Sequence, residues 1–317
     1  GTHMKILILG AGGTGGYFGG RLHQAGADVT FLVREKRAAQ IAANGLVIES
    51  PKDKVTLQVK TVLAGDVKPE YDIVILSCKA YDLDSSIEAI RPAMGPQTCV
   101  VPLLNGMSHL DRLDAAFGKE RVMGGSCQIA ATITKDGVVK SLAEMHAINW
   151  GARVPAQSAA ANALGEAFSK TVVDWKVSDN TMLEMWEKVA CLSTLAAMTC
   201  LMRGSLGDIL STPDGRQLLQ RHLDACIAIA TAEGYAPRPN VAERYNKVMN
   251  TAGSTLTASM LRDLESGGPI EADHIVGFML GKARLHGIDD SMLTVAYTHL
   301  KTYEARRART AAQQAKA

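Results

Sequence analysis

Two clusters of residues in this chain have the types and spacing that chemistry on small molecules requires. The first is Gly10-Ala11-Gly12-Gly13-Thr14-Gly15, a G-x-G-x-x-G turn that follows the apolar run Lys5-Ile-Leu-Ile-Leu9. Glycines there permit a tight turn, let the backbone approach a pyrophosphate and let the next helix pack on the strand. The helix start then offers N–H groups and a partial positive charge to phosphate oxygens. A turn that serves close packing alone is the competing account. The second cluster centres on Lys188, an ammonium inside the otherwise apolar stretch Leu183–Met202. Such a group can stabilise charge developing on a carbonyl oxygen and then donate a proton. Burying it is costly unless it is paired. Glu184, four residues earlier, is spaced for an ordinary intrahelical ion pair, so a structural role competes here too.

These groups need a frame, and the hydrophobic pattern outlines one. Candidate strands at Lys5–Leu9, Val29–Val33, Asp72–Leu76 and Cys99–Leu103 alternate with candidate helices at Gly16–Gln24, Arg37–Ala43 and Asp84–Ala93. Strand–helix–strand units with nearly continuous apolar strands imply a parallel sheet covered on both faces. Gln128–Thr134 and His146–Trp150 read as β segments that extend this sheet at its edge. Beyond about Ser178 the strands give way to helical segments at Leu183–Met202, Arg216–Gly234, Val241–Asn250, Ser259–Glu265, Ala272–His286 and Ser291–Arg309. The expected fold is therefore α/β: a Rossmann-like parallel-sheet nucleotide-binding domain, residues 4–179, followed by an all-helical domain, residues 180–317. Gly1–His3 read as a cloning remnant ahead of Met4.

Bulk properties exclude several function classes. Apolar residues make up 47% and charged residues 21%, with a formal charge of +2. That balance lacks the basic field by which nucleic-acid binders displace counterions. The basic cluster Arg306, Arg307 and Arg309 reads as a solvated, fraying last helix. Six cysteines without a C-x-x-C pair, and histidines without ligand spacing, give no disulfide framework and no metal site. No apolar run reaches the roughly 18 residues a membrane span needs. The expectation is a cytoplasmic protein, and pairing of two copies as a homodimer through an apolar helical face stays open.

Which dinucleotide the turn takes depends on the end of the second strand. NAD enzymes place an acidic residue there, about 20 residues on, for the ribose 2′-hydroxyl. Here Val33 is followed by Arg34, with Lys36 and Arg37 close by. A guanidinium suits a 2′-phosphate, so the expected cofactor is NADPH. Glu35 is a competing signal, and a solvated loop charge is the plain account of Arg34.

With these pieces in place the chain resembles the ketopantoate reductase family. The resemblance rests on Ser77-Cys78-Lys79-Ala80-Tyr81, on Leu103-Leu104-Asn105-Gly106-Met107, and on Trp186-Glu187-Lys188 with Ala258-Ser259-Met260 and Glu271. It runs from Met4 to about Tyr303. It implies an NADPH-dependent reduction of a small 2-oxo acid to a 2-hydroxy acid, as in 2-dehydropantoate 2-reductases of pantothenate biosynthesis. By resemblance Lys188 is the proton donor and Glu271 acts where the nicotinamide meets the substrate. Lys79 and Asn105 line the cofactor and substrate site, and Ser259 helps hold the substrate. The residues alone allow plainer accounts: a surface lysine, a turn-forming Asn-Gly, a helix-start glutamate and a capping serine.

The sequence also departs from the family pattern. Asparagines expected four and eight residues after the lysine are Leu192 and Ala196, a third is Leu206, and Asp82 stands where glutamine is frequent. Losing a buried hydrogen-bond partner costs about 1–3 kcal/mol, so a polyhydroxylated acid should be disfavoured. The expected substrate is ketopantoate held differently, or a more apolar or smaller 2-oxo acid. An imine reductase and a catalytically silent NADPH-binding sensor are the alternatives.

Overall fold

Strands without polar alternates belong where both faces are covered, and the first sheet is built from them. The computed structural model describes residues 4–316, so the remnant expected at Gly1–His3 lies outside the described residues. The strands in chain order are β1 (Lys5–Leu9), β2 (Asp28–Leu32), β3 (Leu46–Glu49), β4 (Lys54–Leu57), β5 (Lys60–Val62), β6 (Ile73–Leu76), β7 (Cys99–Pro102), β8 (Gly124–Ile133), β9 (Val138–Gly151) and β10 (Asp174–Val177). A parallel sheet runs in the order β5-β2-β1-β6-β7. Ile6, Leu7, Ile8 and all four residues of β6 are buried in it. This is the Rossmann-like arrangement that the alternating pattern predicts.

The β segments after Arg121 do not extend that sheet. They belong to β8 and β9, which pair antiparallel in a second five-stranded sheet of order β10-β9-β3-β4 with β8 on β9. Beyond Ser126, β8 has no fully buried residue, whereas all four residues of β7 in the parallel sheet are buried.

The helices of this part are α1 (Gly13–Gln24), α2 (Glu35–Asn44), α3 (Leu83–Ile90), α4 (His109–Phe117) and α5 (Ser158–Phe168). α1 lies between the two sheets, and its glycines make that approach possible. A Cβ on Gly19 would stand 2.7 Å from Ile8 and 2.8 Å from Phe31 of the parallel sheet. One on Gly16 or Gly20 would stand 2.8 Å from Val139 or 2.5 Å from Ile48 of the second sheet. Arg21, on the same helix, is 2% exposed and donates two hydrogen bonds, 2.7 and 2.9 Å, to the Asp53 carboxylate in the β3–β4 turn. Trp150 of β9 is fully buried beside Phe168 and donates to the Ala161 carbonyl of α5.

Residues up to Leu104 together with Leu110–Thr181 cluster as one compact unit, and Asn105–His109 together with the chain from Met182 onward as a second. The second unit is helical: α6 (Thr181–Met202), α7 (Leu206–Leu210), α8 (Gly215–Ala232), α9 (Pro239–Val248), α10 (Ser259–Glu265), α11 (Phe278–His286) and α12 (Ser291–Lys316), with one π-helical turn, Asp273–Gly277, leading into α11. Met198, Leu206, Ile209, Leu219, Leu223 and Met249 form a core cluster. α12 stays helical through Lys316 and is exposed from Ala305 onward. Burial pushes the thiols of Cys191 and Cys200 up to about 12 and that of Cys226 to about 11, which fits small hydrophobes rather than reactive groups. No helix among the described residues is long and apolar enough to cross a membrane.

Candidate active site

The glycine turn separates into positions with different physical demands. Gly10 has φ +77°, a region that favours glycine, and its N–H donates to the Leu32 carbonyl at the end of β2. Gly13 is demanded by packing, since a Cβ there would meet the Ala131 backbone at 2.9 Å, and Gly15 is closely fitted, with a Cβ 3.2 Å from the Ile8 and Ser77 side chains. Gly12 obeys neither demand. Its φ is −83°, nothing lies within 4 Å of where its Cβ would stand, and it heads α1 without a side-chain cap. Thr14 is half-buried in the first turn of α1, which carries no acidic residue.

Arg34 is exposed at the N-cap of α2, just past β2. The guanidinium that grips the glycine turn is that of Arg37, which donates to the Ala11 carbonyl at 2.7 and 3.2 Å and to the Gly137 carbonyl at 3.2 Å. Lys79 is exposed beyond the end of β6, at the N-cap of a 3-10 turn, Ala80–Asp82.

In the second unit Lys188 is half-buried on α6, and its Nζ donates a long hydrogen bond, 3.4 Å, to Asn105 Oδ1. The two residues are 83 apart in the chain. Asn105 does form a turn with Gly106, whose φ is +77°, so the turn-forming role and the contact with Lys188 coexist. The neighbouring Glu187 is 3% exposed and accepts from the Arg238 guanidinium (2.7 and 3.0 Å) and from the Arg238 backbone N–H (2.8 Å). Burial works to raise the Glu187 pKa, but the bonds from Arg238 outweigh it and hold the carboxyl below its ordinary value. This pair pins α6 to the start of α9 on the turn that carries Lys188.

Glu271 is half-buried at the start of the helical stretch that becomes the π-turn, and its carbonyl accepts from the Ile275 N–H at 3.2 Å. Ser259 is half-buried as the first residue of α10. The N-cap is Ala258, so Ser259 does not serve as a cap. Two of the three apolar replacements turn out to serve packing. Leu206 is fully buried in the core cluster, and Ala196 is 2% exposed. Leu192, one turn beyond Lys188, is the replacement that stays half-buried.

Sequence reasoning missed His274. Its Nε2 is 2.5 Å from the Asn105 carbonyl and its Nδ1 is 2.7 Å from Ser108 Oγ. His109, fully buried, packs its ring 5.4 Å from that of His274 at 30°. A lone histidine on an apolar helix face gave no signal, because the partner segment lies more than 160 residues away.

Comparison with known proteins agrees along the chain. Residues 6–154 match the family model for ketopantoate reductase PanE/ApbA, and residues 180–304 match that for its C-terminal part. YkpB of Bacillus subtilis (strain 168), described as an uncharacterized oxidoreductase, is 36% identical over 302 residues, covering 95% of this chain and 99% of its own. A 2-dehydropantoate 2-reductase of Halobacterium salinarum is 27% identical over 289 residues, 90% of this chain and 94% of its own. Among solved structures, 2-dehydropantoate 2-reductase from Geobacter metallireducens GS-15 aligns with TM-score 0.82 at 27% identity, over 94% of this chain and 99% of that one. D-mandelate dehydrogenase with NADH and anilino(oxo)acetate shares the fold, with TM-score 0.83 at 22% identity over 96% of this chain and 100% of its own.

Proposed function

The chain belongs to the ketopantoate reductase family of oxidoreductases, and from that premise we propose that it reduces a 2-oxo acid to the 2-hydroxy acid with NADPH. Residues 4–179 serve as the nucleotide-binding domain and residues 180–317 as the substrate domain. The observation that carries the reading is the Lys188 ammonium, directed by Asn105 Oδ1 at 3.4 Å on a half-buried stretch of α6.

Gly12 supplies the test of fit for a dinucleotide. Neither packing nor backbone conformation asks for glycine there, whereas a phosphate lying against the backbone does. Gly10, Gly12, Gly13, Thr14 and Gly15 cradle the pyrophosphate, and Arg34 takes the 2′-phosphate. Lys79, Asn105 and Glu271 serve the ribose and nicotinamide end. Bound there, the nicotinamide supplies a hydride to the carbonyl carbon of the substrate. Lys188 neutralises the charge that builds on the carbonyl oxygen and gives it a proton from Nζ. Ser259 helps hold the substrate. Leu192 is half-buried four residues after Lys188 on α6, a spacing that puts the two on one helix face, and an apolar side chain there favours a 2-oxo acid with a more apolar or smaller side chain than ketopantoate.

The experiment follows NADPH and NADH oxidation with ketopantoate, 2-oxoisovalerate and phenylglyoxylate, beside the Lys188→Ala variant. The expected result is turnover with NADPH, faster on an apolar acid than on ketopantoate. Lys188→Ala should lower kcat by about 10²–10⁴-fold with cofactor affinity kept. Ketopantoate as the best substrate would refute the substrate class. NADPH bound without turnover on any oxo acid would make the chain a nucleotide-binding sensor.

A further inference from the structure

We propose that His274 is a positioning residue of this site, clamping the Asn105–His109 segment so that Asn105 meets Lys188. The inference rests on Lys188 acting as the proton donor. Its physical basis is the mismatch between what Asn105 must do and how softly the chain holds it. Asn105 is joined to Gly106, which sits at φ +77° and brings no side chain to stiffen the link. The carbonyl of Asn105 needs an outside anchor if its side chain is to keep one direction.

His274 is that anchor. A carbonyl oxygen only accepts, so His274 Nε2–H donates to Asn105 O at 2.5 Å. In a neutral imidazole Nδ1 then accepts, and the Ser108 hydroxyl donates to it at 2.7 Å. One rigid ring thus fixes two points of the segment, three residues apart. The ring itself is buried to 7% exposure on the π-helical turn and packs against His109, which the same segment supplies. Gly106 is part of the fit: a Cβ there would stand 3.0 Å from Ile275 and 3.1 Å from the His274 ring. Single π-turns recur at functional sites. Glu271 lies three residues before His274, so the same short stretch carries both groups.

A displacement of about 1 Å in a reacting group costs on the order of 100-fold in rate. His274→Ala should therefore lower kcat by about 10- to 100-fold, a larger effect than on KM. His274→Gln, whose amide can donate to the carbonyl and accept from the hydroxyl, should recover most of the loss. The deciding comparison is a double-mutant cycle. If His274 acts through Asn105, Asn105→Ala with His274→Ala is no slower than Asn105→Ala alone. Losses that multiply overturn the proposal. Hydrogen exchange of the 103–110 segment gives a readout that needs no turnover. Exchange there should rise in His274→Ala and return in His274→Gln, and unchanged exchange overturns the clamp. A wild-type protein inactive on every oxo acid would sink the reductase reading, while exchange would still decide the clamp.

Discussion

Replacing Gly12 by serine should push folding stability and cofactor affinity in opposite directions. Gly12 is the N-cap of α1, with φ −83° and ψ −158°, the extended conformation that capping serines adopt. Nothing lies within 4 Å of the new Cβ, so the hydroxyl is free to cap the first turn. The fold should gain a few tenths of a kcal/mol. The same hydroxymethyl group stands where a pyrophosphate would lie against the backbone. Forcing a small group into a fitted contact costs about 1–3 kcal/mol, or roughly 5- to 150-fold in Kd. The assay pairs a thermal melt without cofactor with a fluorescence titration of NADPH. Gly19→Val is the opposite control: its Cβ would meet Ile8 and Phe31 at 2.7 and 2.8 Å, costing about 3 kcal/mol or some 6–12 °C in Tm. An unchanged Kd in Gly12→Ser, with the melt intact, would refute the assignment of the turn to phosphate binding.

Two further outcomes follow from ion pairs. Arg238→Ala leaves the Glu187 carboxylate buried without its partner. The loss should be on the order of 2–3 kcal/mol by urea denaturation, less than for a fully buried pair because the Arg238 side chain is 47% exposed. A loss below about 1 kcal/mol would show that the pair does not pin α6. The Arg21 guanidinium holds the Asp53 carboxyl at about 2. A depressed carboxyl pKa gives stability that is present above the unfolded value, about 3.9, and lost as pH falls through the folded one. The stability gap between wild type and Asp53→Asn should therefore be full at pH 5 and shrink towards pH 2. A constant gap would contradict the ion pair.

The parallel sheet could be read from sequence because β1, β6 and β7 are short apolar runs bounded by turns, and the glycine fingerprint locates the first of them. The second sheet could not, since β3 and β4 are four-residue strands whose pairing partners lie along β9 and on each other. A local pattern marks β8 and β9 as strands but says nothing of which sheet they join. At the site, Lys188 was legible as a charge in an apolar helix, and Asn105 as a turn residue past a strand. Their hydrogen bond, and the His274 bridge beneath it, join segments far apart in sequence, which no local period encodes. The apolar replacements illustrate the same limit. Leu192, Ala196 and Leu206 look alike as lost asparagines, yet burial separates the half-buried Leu192 from two core positions.

α1 also has a consequence for how its unit folds. Five of its twelve residues are glycines, each about 1 kcal/mol poorer than alanine in a helix. Cut out of the protein, the segment would be a coil. Its helicity is supported by the two sheets that flank it, each of which meets a different set of its glycines. The glycines therefore trade local autonomy for tertiary contact: they let one helix serve as the shared packing partner of two sheets of different strand direction.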